Sequence, residues 1–271
     1  MDTLRVILIV ACLVPTLANA GRAQGPGSAG IADAGTLRFS FQAGQSLLYR
    51  FGQQDPPMEG AARLSGTITL RTLAITQANA KLRVTCQATG AIYSGGRWTP
   101  LSQSPMPPIV ALVKLDGTIA GLQDEQGQAL TLGGLFRLML GKDGTNAAAP
   151  GLSVSLGSYR LFGLQLPPRL PPAGQTYPGF TYSVRMHTSS TGGKITETES
   201  LAQRPATFTY AGPSSVGGRK CLDFLCPLAT LPGQPEGEAV RVCFDAARGQ
   251  VVKATRGGMS VQLGSQSPAG R

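Results

Sequence analysis

Apolar and polar residues alternate one for one through much of this chain. In LRFSFQ (37–42), Leu37, Phe39 and Phe41 interleave with Arg38, Ser40 and Gln42; in KLRVTCQ (81–87), Leu82, Val84 and Cys86 lie opposite Arg83, Thr85 and Gln87. Period two with one apolar side predicts strands in a sheet that buries one face and wets the other. The rhythm returns at 66–75, 110–115, 181–186, 206–211, 238–244, 250–255 and 259–263, and turn residues separate nearly all of these runs. That is the pattern of antiparallel meanders. One stretch departs from it. In LTLGGLFRLMLGKDG (130–144), Leu135, Leu138 and Met139 share a helical face between Gly134 and Gly141, so a short buried helix is expected there, with a strand as the alternative.

The pattern also repeats along the chain. Ala43-Gly44-Gln45 precedes a strand containing Tyr49, and Ala173-Gly174-Gln175 precedes one containing Tyr182, an offset of 130. Asp116-Gly117 lies between two apolar strands, as Asp245 to Gly249 does at an offset of 129, and GTITLRT (66–72) aligns loosely with GKITETE (193–199) at 127. Three landmarks in one order predict two similar halves. The recurring turn vocabulary of β-hairpins is the competing explanation.

The connection between the halves is the proline-rich 164–178, whose PPRLPP core fixes φ and lacks donors and so reads as a stiff extended link. A polyproline ligand for a partner domain is the weaker reading. The expected divisions are a signal peptide (1–20), a flexible leader (21–36), a first β unit (37–163), the connection (164–178), a second β unit (179–264) and a disordered tail (265–271).

The N-terminal twenty residues carry Arg5, an apolar run from Val6 to Leu17, and Ala18-Asn19-Ala20. This is the make-up of a secretory signal cleaved after Ala20, with an apolar run too short to span a bilayer. Ile9-Val10-Ala11-Cys12 loosely fits a lipobox, but the apolar run continues past Cys12, which favours simple cleavage. A periplasmic or secreted chain with no further long apolar segment is expected.

The net charge of +10 is spread, with no Lys/Arg run of the kind that grips phosphate backbones, so specific nucleic-acid binding is not expected. Attraction to anionic membranes or polyanions would be non-specific. Four cysteines follow the signal: Cys86, Cys221, Cys226 and Cys243. In an exported chain an even count suggests two disulfides. By alternation Cys86 and Cys226 fall on apolar strand sides and Cys221 and Cys243 on the more polar sides. Pairs Cys221–Cys243 and Cys86–Cys226 fit those facings, and a tight Cys221–Cys226 loop is the alternative. One histidine and one C-x4-C spacing argue against a structural zinc site, and no cofactor is expected.

Catalytic chemistry finds little to build on. His187 has no G-x-S-x-G elbow to serve and reads as a surface or strand-end imidazole. Glu197 and Glu199, two apart on a strand, and Asp124 and Glu125, in a polar turn, read as solvated carboxylates rather than a glycosidase pair. Asp116 and Asp245 read as turn residues bonding the amides that follow them. Phosphate, dinucleotide and calcium loops are absent from the sequence.

The layout AGQ…YRF, VKLDGTI, LPPRLPPAGQTY and the closing VCFDAARGQVVKATRGG resembles exported bacterial proteins of a half-barrel group related to periplasmic lipoprotein carriers. The resemblance covers 37–263, and its best match is the hairpin with Asp245, Gly249, Val251, Val252 and Lys253. It implies a curved antiparallel sheet wrapping a helix or plug, with a concave apolar face able to hold acyl chains. It carries over no catalytic residue.

The expected fold is therefore mostly β, with antiparallel sheets in two related half-barrel or clamp units and a short helix near the connection. The expected function is non-catalytic binding of a lipid or other hydrophobic ligand in a concave cavity, touched by Trp98, Leu135, Phe136, Leu138 and Met139. An interaction module for an envelope protein is the alternative, and a hydrolase a weaker third.

Overall fold

A computed structural model describes residues 36–54, 56, 58, 61–100, 108–129, 164–191, 194–227 and 239–267. These hold twelve strands: β1 (Ser46–Gln54), β2 (Ala62–Ile75), β3 (Asn79–Ser94), β4 (Arg97–Pro100), β5 (Ile109–Lys114), β6 (Ile119–Gln123), β7 (Thr176–Thr191), β8 (Lys194–Val216), β9 (Arg219–Cys226), β10 (Val240–Asp245), β11 (Gln250–Arg256) and β12 (Met259–Ser267). They form one sheet in the order β6-β5-β3-β2-β1-β12-β11-β10-β9-β8-β7, with β4 paired to β3. All pairings are antiparallel, and β6 and β7 are the two edges, so the sheet is open among the described residues. Every pairing joins consecutive strands except β3 to β5, which skips β4, and β1 to β12, which joins the first strand to the last.

The alternation read from the sequence sets the faces. Leu82, Val84 and Cys86 of β3 turn inward, as do Tyr49 and Phe51 of β1, Ile68 and Leu70 of β2, and Phe224, Val242 and Phe244 of β9 and β10. These side chains form one continuous core across both halves. Phe208, Phe224 and Phe244 are wholly enclosed, each contributing about 1.5–3 kcal/mol over an exposed position.

The run 37–42 keeps its predicted facing but is not a strand. Leu37 and Phe39 are buried and Arg38 and Ser40 exposed, yet the Phe39 amide bonds Leu115 O and the Ser40 amide bonds Gly249 O, both at turns. Leu115 follows β5 and Gly249 precedes β11, so this strap crosses from one half to the other. Phe39 packs edge-on to Phe244, centroids 5.2 Å apart.

The two Ala-Gly-Gln turns have the same geometry. Gly44 has φ 80° and Gly174 φ 83°. The Gly44 amide bonds Thr72 O while the Thr72 amide bonds Gln45 O; Gly174 and Gln175 make the same reciprocal pair with Tyr210. Only a residue comfortable at positive φ turns the chain into β1 and β7 in this way.

Several expected boundaries move. β7 begins at Thr176, inside the expected connection, and β12 reaches Ser267, inside the expected tail, because 46–48 of β1 offer its end a partner. The start of the connection is no free link either: Leu164 and Leu166 sit in the core, and the Leu166 amide bonds Asp116 O. The predicted helix at 130–144 lies outside the described residues.

Candidate functional site

Among the described residues the inward side chains form one buried cluster. A cavity of about 10 Å³ lies under the strap, between Phe39, Phe41, Leu47, Tyr49, Leu70 and Gln250. That is room for about one water and not for an acyl chain. Alternating strips report which side of a strand is apolar, but not whether facing strips are held apart; Phe39, Phe208, Phe224 and Phe244 all belong to one buried cluster.

Trp98 does not line the interior. The Gly95-Gly96 turn, with φ 58° and 78°, folds β4 back on β3 and sets Trp98 opposite Tyr93. The two rings meet at 64° with centroids 5.3 Å apart, and the Arg63 guanidinium lies 4.0 Å from the indole centroid. A cation over an aromatic face at this range is attracted by the ring quadrupole. The sequence reads Trp98 as a loop residue; the Gly95-Gly96 pair is the signal that could have placed it in a hairpin, whereas the approach of Arg63 depends on β2–β3 register. The other expected ligand contacts, Leu135, Phe136, Leu138 and Met139, lie outside the described residues.

The carboxylates expected in turns are found there. Asp116 accepts the Thr118 amide at 2.8 Å, and Asp245 accepts the Arg248 amide at 3.1 Å. Asp124 accepts the Gln128 amide at 2.8 Å, and Glu125 pairs with Arg83. His187 is opposite Thr198, whereas Glu197 and Glu199 are opposite Thr188 and Met186. Among the described residues no group of three or more His, Cys, Asp or Glu gathers.

All four cysteines are free thiols, so neither expected disulfide is formed. Register gives the reason, since no cysteine stands directly opposite another. Cys86 faces Ile68, Cys226 faces Val240, and Cys243 faces Asp223. Cys86 and Cys226 belong to the main core, while Cys221 and Cys243 form a small buried cluster with Val252 on the other face of the sheet.

Burial pushes the Cys86 thiol up to about 11 and the Cys243 thiol to about 12. For Cys243 that rise includes, after burial, the hydrogen bond to Asp223 and that carboxylate's charge; Cys221 is raised by burial and then by Asp245 and Asp223. Asp223 also accepts the Ser214 hydroxyl at 2.7 Å and stands 4.0 Å from the Arg241 Nε. Thiols held protonated are poor nucleophiles at neutral pH.

No family model matches this chain, and no curated protein does. Among solved structures it is similar to a lipovitellin chain described as "Lipid-protein interactions in lipovitellin", at 15% identity and a TM-score of 0.33. The match covers 86% of this chain and 26% of that one, so this chain spans about a quarter of its neighbour. A likeness at that score carries no argument about ligand or mechanism.

Proposed function

We propose that this chain is an exported, non-catalytic interaction module of the cell envelope, meeting a partner protein with the outer face of its sheet. The observation that supports this reading is the set of large aromatic and cationic groups left outside the buried core among the described residues. Outside that core stand large groups suited to a protein contact. Phe180 on β7 is 47% exposed, and the Arg63–Trp98–Tyr93 stack presents an aromatic and cationic surface. Tryptophan, tyrosine and arginine are the residues that most often anchor protein interfaces.

The test pairs two measurements. Native mass spectrometry and solvent extraction of the purified chain are expected to find no stoichiometric lipid. A photo-reactive residue at position 98, introduced in cells, is expected to trap one discrete envelope protein, with Arg63→Glu abolishing the adduct. A lipid bound one to one would overturn the proposal, as would a position-98 probe that traps nothing.

A further inference from the structure

The basic residues are spread along the sequence, but the fold gathers several of them. Arg83 on β3, Arg71 on β2, Arg50 on β1, Lys253 on β11 and Arg241 on β10 each stand next to an inward core residue of their own strand, so all five project from the outer face of the sheet.

Register sets them in a diagonal band. Arg71 is directly opposite Arg83. Arg50 is opposite Thr67 on one side and Gln262 on the other, and Gln262 is opposite Lys253. Lys253 in turn is opposite Cys243, and Arg241 is opposite Thr255. With strands about 4.8 Å apart and residues about 3.4 Å along them, Arg71 lies about 14 Å from Arg50, and Arg50 about 10 Å from Lys253.

Both ends of the band already hold carboxylates. Arg83 pairs with Glu125, and the Arg241 Nε lies 4.0 Å from Asp223. Among the described residues, Arg71, Arg50 and Lys253 in the middle have no carboxylate partner. Like charges directly opposite one another, as Arg71 and Arg83 are, cost stability, and an anion bound beside them lessens that cost.

We propose that Arg71, Arg50 and Lys253 form a docking surface for an extended acidic segment of the partner protein, whose Asp and Glu side chains complete the series that Glu125 and Asp223 begin. This rests on the reading of the chain as an interaction module and names the chemistry of its partner. Thr67, Thr69 and Gln262 add hydrogen-bonding groups between the cations, with Leu48 half-buried beside Arg50. The exposed large apolar side chains, Met58, Leu73, Ile75 and Phe180, lie outside this stretch. A bilayer surface calls for apolar groups that insert, and a single-stranded nucleic acid for aromatic platforms. The carboxylates at both ends favour a protein segment over a phosphate polymer.

Fluorescein-labelled octaglutamate is titrated with the full chain at low salt, beside two rival probes: polyphosphate of similar charge, and vesicles of phosphatidylcholine and phosphatidylglycerol. Octaglutamate is expected to bind, and to bind more weakly as salt rises. The triple variant Arg50→Gln/Arg71→Gln/Lys253→Gln is expected to lose about tenfold in affinity, the sum of three exposed ion pairs. Arg38→Gln/Arg219→Gln/Lys220→Gln removes the same charge at exposed positions off the band and is expected to stay within about twofold. Melting curves of both variants check that they fold.

The proposal fails if polyphosphate or the vesicles bind more tightly than octaglutamate, or if the two triple variants weaken binding equally, which would mark net charge alone. In cells, the band variant is expected to lose the adduct at position 98. An adduct that persists in that variant overturns the docking surface and leaves the interaction module standing. Octaglutamate binding through the band, with no adduct from the natural chain, supports the surface and overturns the module.

Discussion

Tyr49 on β1 donates its hydroxyl hydrogen to the Val251 carbonyl on β11 at 3.0 Å, across 202 residues of chain. Both strands flank β12, so the bond passes over the strand that joins the two halves of the sheet. Tyr49 is 2% exposed, and burial pushes its phenol far above the ordinary range, which keeps it a donor. Tyr49→Phe leaves the ring in place and removes only the donor. The expected cost is about 1–3 kcal/mol, the usual cost of leaving a buried polar group without its bond. Urea unfolding reads it as a lower midpoint at unchanged slope.

The strap makes a second prediction. Phe39 is 5% exposed, stacks on Phe41 with centroids 5.9 Å apart, and packs edge-on to Phe244. Phe39→Ala empties a site bounded by both halves and is expected to cost about 3–5 kcal/mol. Arg38→Ala, next to it but exposed, is expected to stay within about 0.5 kcal/mol of the natural chain. Calorimetry on the three proteins separates them, and equal losses would mean that the strap matters through its backbone alone.

These residues also mark how far the sequence can be read. Leu37 and Phe39 alternate with Arg38 and Ser40 as a strand would, and their burial follows that alternation. Alternation records which side is wet, whereas membership of a sheet is decided by where the amides go. The Phe39 and Ser40 amides go to turn carbonyls contributed by distant hairpins. The cysteines show the same division. Their facings followed from period two, but whether Cys243 meets Cys221 or Asp223 is fixed by turn lengths and bulges, which a one-residue slip would change. Trp98 reads as a loop residue in the sequence because four residues make a weak strand signal, although the glycine pair before it is a recognised hairpin turn.

The buried thiols predict an alkaline limb to stability. A thiol whose folded pKa is raised holds its proton more tightly in the native state than in the unfolded one. Its contribution is complete below the unfolded pKa and is lost as pH rises towards the folded one. For Cys86 the window runs from the ordinary 9.0 to about 11, and for Cys243 from 9.0 to about 12. Denaturant midpoints are therefore expected to be flat from neutrality to about pH 9 and to fall above it. Cys86→Ala should lower the plateau through lost packing and make the fall between pH 9 and 11 shallower; an unchanged slope would show that other groups govern the limb.

Gly117 makes the sharpest prediction, because two independent constraints meet there. Its φ is 93°, outside the region that L residues occupy readily. A Cβ at this position would overlap the Leu164 carbonyl oxygen and come within 2.6 Å of the Phe39 ring. The turn after β5 is thus the point at which both the strap and the start of the proline-rich segment are seated, with Leu166 bonding the neighbouring Asp116 carbonyl. Gly95, in the β3–β4 turn, separates the two constraints. Its φ is 58°, yet a methyl group added there would meet nothing within 4 Å, so Gly95→Ala bears backbone strain alone, about 1–2 kcal/mol. Gly117→Ala adds a collision with backbone that cannot move without unseating 164–166, and is expected to cost roughly 4 kcal/mol or more. If the two variants melt within a few degrees of each other, the packing of the strap and the connection against this turn is wrong.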